Sequence, residues 1–314
     1  RLAVEQALPG SPMKSVVQSD KKGIRALKDG LAEAMQKFVP DRTVLPIPDR
    51  SFGGTLGRTI DKSVGDWSII PGPKAPEGAP NVLLVLIDDA GFGNPSTFGG
   101  PISTPRYTQM AEAGLRYNRF HVTALCSPTR SCLLTGRNHT RNGMACITEC
   151  ASGFPNANGV IPPENGQIQE ILGQQGWNTY MVGKWHVTKK VNPTGETEQS
   201  NWPLQRGFNR FYGTIHGAGS FYDPNSLTRD NTLISPFADP AYQPKEFYYT
   251  DAINDHATRF VAEHAQSHPT KPFFMYVAYT APHWPLQASE EDIAKYRGRY
   301  DEGWDVLRER RMQR

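Results

Sequence analysis

Residues 81–93 read Asn81-Val82-Leu83-Leu84-Val85-Leu86-Ile87-Asp88-Asp89-Ala90-Gly91-Phe92-Gly93, and the fold turns on how this stretch is read. The apolar run is far too short to span a membrane and lacks the polar alternation of a half-solvated strand. A continuous, β-branched run of this length predicts a strand over 82–87, buried on both faces of a parallel sheet. It stops abruptly at two carboxylates and a Gly-rich turn. Adjacent carboxylates repel each other unless solvent or a cation compensates. Asp88 and Asp89 therefore read either as loop residues capping the next element or as oxygen ligands for a divalent metal.

Outward from this run, helices and strands alternate. Thr104 and Pro105 open a helix over 104–114 that Gly114 stops. Residues 115–122 alternate well enough to predict a strand. A helix over 167–174 precedes a strand over 178–182, which ends at Gly183-Lys184-Trp185-His186. A long passage rich in Gly, Pro and aromatics follows over 190–245. A helix over 250–266 then leads to a buried strand within 272–279, ending at Ala281-Pro282-His283-Trp284-Pro285. This alternation predicts an α/β fold with a large, mostly parallel sheet sandwiched by helices. Such sheets place ligand sites beyond the carboxyl ends of their strands. Three polar clusters fall at such ends here.

Residues 1–79 read as an N-terminal extension, with an amphipathic helix over 24–38 that aligns Leu27, Leu31, Met35 and Phe38. Repeated prolines over 40–80 predict irregular coil. The domain proper is expected over 80–314. Charged residues make up 21% of the 314 and the net charge is only +3, so no strong field points to nucleic acid. The basic run at 308–311 reads as a solvated helix face. No apolar run approaches membrane-spanning length. The cellular address is not legible. Cys126, Cys132, Cys146 and Cys150 form neither a disulfide ladder nor a CxxC zinc pair, and Cys146 and Cys150 read as small buried thiols.

The most specific stretch is Cys126-Ser127-Pro128-Thr129-Arg130-Ser131-Cys132-Leu133-Leu134-Thr135-Gly136-Arg137. A thiolate at a helix N-terminus beside Arg130 would be reactive by ordinary physics. A cysteine packed in an apolar helix start is the bland alternative. The spacing Cys126-x-Pro128-x-Arg130, followed by Leu134-Thr135-Gly136-Arg137, closely resembles the signature of the sulfatase family, within the alkaline-phosphatase superfamily. The resemblance implies that a formylglycine-generating maturation enzyme oxidises Cys126 to an aldehyde, which hydrates to a geminal diol. One diol oxygen, held by a metal cation, attacks sulfur and forms a covalent sulfate adduct. The second hydroxyl then loses its proton, the aldehyde re-forms, and sulfate leaves by C–O cleavage. A serine or thiol lacks that second hydroxyl.

The same resemblance gives the other groups roles. Asp88 and Asp89 look like the family's paired metal aspartates, joined by the side chain at 126, with calcium the first expectation and magnesium the second. Lys184 and His186 lie in a run very similar to the family's. Alternate residues of an extended segment face one side, so both could face one site; the resemblance implies that Lys184 would neutralise a sulfate oxygen and His186 would take the diol proton. Without the resemblance they read as a solvated lysine and a structural histidine. His283, rigidly flanked by prolines, matches a Pro-His element whose histidine contacts sulfate and helps protonate the leaving oxygen. Arg130 would hold the diol and its loop, and Arg137 would brace the turn.

The resemblance runs from about 79 to the end, with weaker echoes at 203–208 and 300–305. The context Thr123-Ala124-Leu125-Cys126 and the run Phe98-Gly99-Gly100-Pro101 look most like bacterial-type arylsulfatases. The implied substrate is a small-molecule sulfate ester, with Trp177, Trp202, Phe221 and Tyr222 as candidate aryl-pocket or core residues. Related superfamily members hydrolyse phosphate or phosphonate esters, which is the alternative activity; an inactive fragment or binding module is a third. The family's second Asp-Asn metal pair and a further lysine would follow Arg314. The chain thus reads as truncated, and weak metal binding and little turnover are expected of it alone.

Overall fold

The runs at 178–183 and 273–278 become strands whose two faces are buried by different helices. The computed structural model describes residues 52–66, 74–189 and 198–313. The chain divides into two units at Lys74–Ala75. In the first unit, the described residues 52–66 close one antiparallel bridge, Thr55 to Val64, around a 3-10 turn at Ile60–Lys62. The helix expected over 24–38 lies outside the described residues.

The second unit is built on one six-stranded sheet: β1 (Val82–Leu86), β2 (Asn178–Gly183), β3 (Arg210–Thr214), β4 (Leu227–Arg229), β5 (Thr232–Leu233) and β6 (Phe273–Ala278). Its spatial order is β1-β6-β2-β3-β4-β5. The strands β1, β6, β2 and β3 run parallel, while β4 and β5 return as an antiparallel edge. Helices α1 (Pro105–Glu112), α2 (Cys126–Thr135), α3 (Ile168–Gln174), α4 (Tyr249–Ser267), α5 (Glu290–Ala294) and α6 (Trp304–Met312) complete the unit.

The period-two geometry of strands sorts the core into two layers. Met181, Phe274, Tyr276 and Ala278 point to the face packed by Leu134 of α2 and Leu172 of α3. Tyr180, Val182, Met275 and Val277 point to the opposite face, against Ala252, Ile253 and Phe260 of α4. The α/β sandwich expected from the alternation of elements is therefore present.

Three expectations need correction. The strand at 82–86 is an edge strand among the described residues, and Leu83 is 57% exposed rather than buried. Helix α4 lies over β2 and β3, so its cover serves the middle of the sheet. Residues 115–122 form no strand, and Leu115, Tyr117, Phe120 and Val122 are exposed. Alternation alone makes no strand where no neighbour supplies the ladder of hydrogen bonds. Conversely, β3, β4 and β5 lie inside the 190–245 passage rich in Gly, Pro and aromatics, for which no element is predicted from the sequence. Gly213 is there for close approach: a Cβ on it would stand 1.9 Å from the Gly183 carbonyl oxygen of β2.

The basic run near the end does lie on a solvated helix. In α6, Arg308 pairs with Asp305 at 2.9 Å, and Arg310 pairs with Glu302.

A titratable group sits inside the α4 layer. His256 stacks flat on Tyr212 of β3, with ring centroids 3.4 Å apart, and its Nδ1 donates to the Ala252 carbonyl at 2.8 Å. Burial pushes its pKa down to about 4 from 6.5. The unfolded chain then takes up this proton first as pH falls, so the stability from neutral His256 is full above pH 6.5 and drains toward pH 4. We expect the fall in unfolding free energy between pH 7 and 4.5 to shrink by about 2–3 kcal/mol in His256→Phe, read by urea denaturation at both pH values.

Candidate active site

Parallel pairing sets the site. Leu86 of β1 pairs with Ala278 of β6, and Ala278 pairs with Gly183 of β2, so three carboxyl ends stand level. The tails that leave them carry Asp88, Lys184 with His186, and His283. The N-terminus of α2, beginning at Cys126, closes over the same edge.

Asp88 is the hub. It is only 6% exposed, its Oδ1 lies 3.3 Å from Arg130 Nη2, and its Oδ2 accepts from Lys184 Nζ. Arg130, fully buried, also donates through Nη1 to the Lys184 carbonyl (2.9 Å) and to Tyr276 Oη on β6 (3.2 Å). Burial alone would raise the Asp88 carboxyl, but Arg130 and Lys184 outweigh it and hold it below the usual carboxylate range. Lys184 and His186 are both buried and not solvated, but the extended segment expected to align them ends at Gly183, and His186 takes a left-handed backbone (φ 56°).

Cys126 is drawn into this group. Its sulfur, an Asp88 oxygen and a His283 ring nitrogen all lie within 4.8 Å of one another. Lys184, bonded to Asp88, brings its ammonium to the same group. Burial nevertheless pushes the thiol up, against the pull of Lys184 and Arg130. The reactive thiolate expected from helix N-terminus and arginine is therefore corrected: unconverted Cys126 stays a protonated thiol, because desolvation wins.

Asp89 takes a left-handed backbone (φ 51°), and its carboxylate lies 3.7 Å from His283 Nε2. His283 Nδ1 donates to the Trp284 carbonyl at 2.5 Å. His186 Nε2 faces Glu149 Oε2 at 2.8 Å, while its Nδ1 is buried with no protein partner. Glu149 belongs to a 3-10 turn, Thr148–Cys150, that no motif in the sequence marks. Burial would raise its carboxyl, but the His186 hydrogen bond dominates and holds it down at about 2.

Other candidates fall outside the cluster. Arg137 is exposed and braces the α2 terminus through the Thr135 carbonyl (3.2 Å), as expected. His139 Nδ1 donates to the Met144 carbonyl (2.7 Å) and His121 is exposed. Cys150 is exposed, contrary to the buried thiol expected. Trp202 and Phe221 are core residues. Trp177 precedes β2, at the amino ends of the strands. There it lines a hollow of about 380 Å³ with Glu170 and Lys271, remote from the carboxyl-end cluster. Glu170 is already paired with Arg206 at 2.8 Å. The exposed aromatic that the site does present is Trp284, 73% accessible, with Leu286 at 80% beside it.

The donor set fits a hard divalent cation in part. Each Asp88 oxygen keeps a lone pair beyond its bond to Arg130 or Lys184. Asp89 offers further oxygens. Two carboxylates suit calcium or magnesium, which take oxygen ligands, whereas the thiol at 126 does not. A hydroxyl at that position would make the set all-oxygen.

Comparison with known proteins agrees with this geometry. The family model described as Sulfatase matches residues 80–313. An uncharacterised sulfatase of Schizosaccharomyces pombe is 35% identical over 74% of this chain and 43% of its own length. The arylsulfatase of Klebsiella aerogenes is 29% identical over 75% of this chain and 50% of its own. The human N-acetylgalactosamine-6-sulfatase is 32% identical over 73% and 44%. The chain thus spans about half the length of these curated relatives. Among solved structures, Ps i-CgsB in complex with k-i-k-neocarrahexaose superposes with a TM-score of 0.57 at 26% identity, covering 69% of this chain and 48% of that one. Among the described residues no helix is long and apolar enough to cross a membrane. With its signature helix seated on three level strand ends and most of its length matched by the family model, the chain belongs to the sulfatase family.

Proposed function

We propose that the protein carrying this chain hydrolyses sulfate esters of ring-bearing alcohols, aryl sulfates first, through a formylglycine derived from Cys126. The observation that carries this reading is the meeting of Cys126, Asp88 and His283 within 4.8 Å, with Lys184 bonded to Asp88. A thiol kept protonated by burial is a poor nucleophile, which favours conversion over direct attack by sulfur.

Asp88, Asp89 and the converted side chain would hold a calcium or magnesium ion. That ion would supply positive charge where the nucleophilic oxygen forms. The chain's own groups do the rest. Lys184 places an ammonium beside position 126, where it neutralises a sulfate oxygen. Arg130, bound to Asp88, the Lys184 carbonyl and Tyr276, fixes the signature helix against the strand ends. His283, with Nδ1 tied to its own loop, presents Nε2 toward the carboxylate edge and suits protonation of the leaving oxygen. His186 takes the proton whose loss releases sulfate.

Support for a ring-bearing substrate comes from the loop after His283. Gln287 Oε1 accepts from the Phe221 amide (2.7 Å), Tyr248 Oη donates to the Gln287 carbonyl (3.1 Å), and Tyr222 Oη donates to the Ala288 carbonyl (3.1 Å). Trp284 and Leu286 therefore stand exposed on a braced strap. An indole offered beside a charged site favours an aromatic or pyranose face.

The conversion is tested by mass spectrometry of the peptide containing Cys126 and by its reaction with a hydrazide. The expected result is an aldehyde there, and a loss of hydrolysis of roughly 10³-fold or more in Cys126→Ala. An unmodified thiol in active protein would overturn the assignment.

The two aspartates separate in stability. Asp88→Ala strands Arg130 and Lys184 in the interior and should cost about 3–5 kcal/mol. Asp89→Ala, at an exposed carboxylate on a left-handed backbone, should cost only about 1–2 kcal/mol in chelator yet lose any calcium-dependent rise in melting temperature. Scanning fluorimetry with calcium and with chelator reads both.

Trp284→Ala should raise KM for 4-nitrophenyl sulfate about tenfold while kcat stays within about twofold. Equal effects on a short alkyl sulfate would remove the ring-binding role.

A further inference from the structure

The Glu149–His186 contact has chemical content beyond its length. An ionised carboxylate has acceptors only, so the ring atom facing it must carry a hydrogen. That atom is His186 Nε2, 2.8 Å from Glu149 Oε2. A neutral imidazole bears one such hydrogen, which leaves Nδ1 with a lone pair. Burial, and the Lys184 and Arg130 cations nearby, keep the ring neutral despite the opposing pull of Glu149.

Nδ1 is also the unusual end of the ring. It is buried without a hydrogen-bond partner in the protein, and the residue is 3% exposed. Leaving such an acceptor unpaired is destabilising, and a donor arriving during reaction would relieve it. The ring is held for it. A Cβ at Gly217 would stand 2.1 Å from His186 Cε1, so only glycine leaves the ring its place. The His186 amide donates to the Ile215 carbonyl (3.1 Å), and the Trp185 amide to that of Thr214 (2.9 Å). Glu149 is itself placed against the signature helix, because the Thr148 amide donates to Ser127 Oγ (3.3 Å), next to Cys126.

We propose that Glu149 is a positioning residue that locks His186 in the Nε2–H tautomer, so that Nδ1 is the atom that accepts the proton from position 126. The proton leaves the hydroxyl at 126 and binds the Nδ1 lone pair, and Glu149 offsets the imidazolium charge through Nε2–H. This rests on the sulfate ester reading for the identity of the proton donor, while the tautomer assignment stands independently of it.

The test is long-range ¹H–¹⁵N correlation of the imidazole nitrogens in uniformly ¹⁵N-labelled protein at neutral pH, with steady-state kinetics on 4-nitrophenyl sulfate. Wild type should show His186 protonated at Nε2 and bare at Nδ1. Glu149→Gln, whose carboxamide can donate to Nε2, should mix the tautomers and lower kcat at least about tenfold with KM within about twofold. Glu149→Asp should keep the single tautomer and recover part of kcat. A wild-type ring protonated at Nδ1 would overturn the proposal, as would Glu149→Gln with tautomer and kcat both unchanged. Wild type that turns over no sulfate ester would remove the reaction reading, and the spectra alone would then decide the tautomer.

Discussion

One buried carboxylate, Asp88, holds the site together by being shared between two cations from two different elements. Arg130 brings the signature helix and Lys184 brings the tail of β2, and both close on the tail of β1. Taking three charges out of water is costly, and such a group adds little stability over an apolar replacement. Its value is in geometry. With Arg130 also bonded to Tyr276 of β6 and to the Lys184 carbonyl, the tails of β1 and β2 cannot shift without stranding a buried charge. The position of Cys126 is a consequence, since it begins the helix that Arg130 anchors.

The sheet makes that sharing feasible. In the order β1-β6-β2, the strands carrying Asp88 and Lys184 are separated by β6. Neighbouring strands lie about 4.8 Å apart, so only a long side chain can bridge that gap. Lysine and arginine have the reach, and both lie along an apolar interior that accommodates their stems. A level register at Leu86, Ala278 and Gly183 then sets where their heads meet. A shift of one residue in any of these pairings would turn the adjoining side chains to the other face.

What could be read beforehand follows from what each signal measures. The strands at 82–86 and 273–278 are continuous apolar runs and α4 carries a helical period over 19 residues, so the elements themselves are legible, although only 273–278 is buried throughout. The strand β3 is interrupted by Gly213, which packs against β2 but reads in sequence as a turn residue. Residues 115–122 carry strand alternation and find no partner, because pairing is a property of neighbours in space. In the site, Cys126, Arg130, Lys184, His186 and His283 stand in compact motifs. Glu149 stands in none. It lies 37 residues before the histidine it touches, so only the fold brings them together.

The two histidines are asymmetric in ways that suit opposite tasks. His186 is enclosed, held neutral by burial, and turned so that one nitrogen faces a carboxylate and the other, also buried, has no hydrogen-bond partner. That is an acceptor poised to take a proton. His283 is partly open to solvent, with Nδ1 committed to its own backbone and Nε2 near Asp89. In the proposed reaction its open side is where a departing oxygen could be met. Two otherwise identical side chains are thus given different surroundings by the fold. Here the separation follows from two loops: one folded over by the signature helix, the other strapped to Phe221 and Tyr248 at the rim.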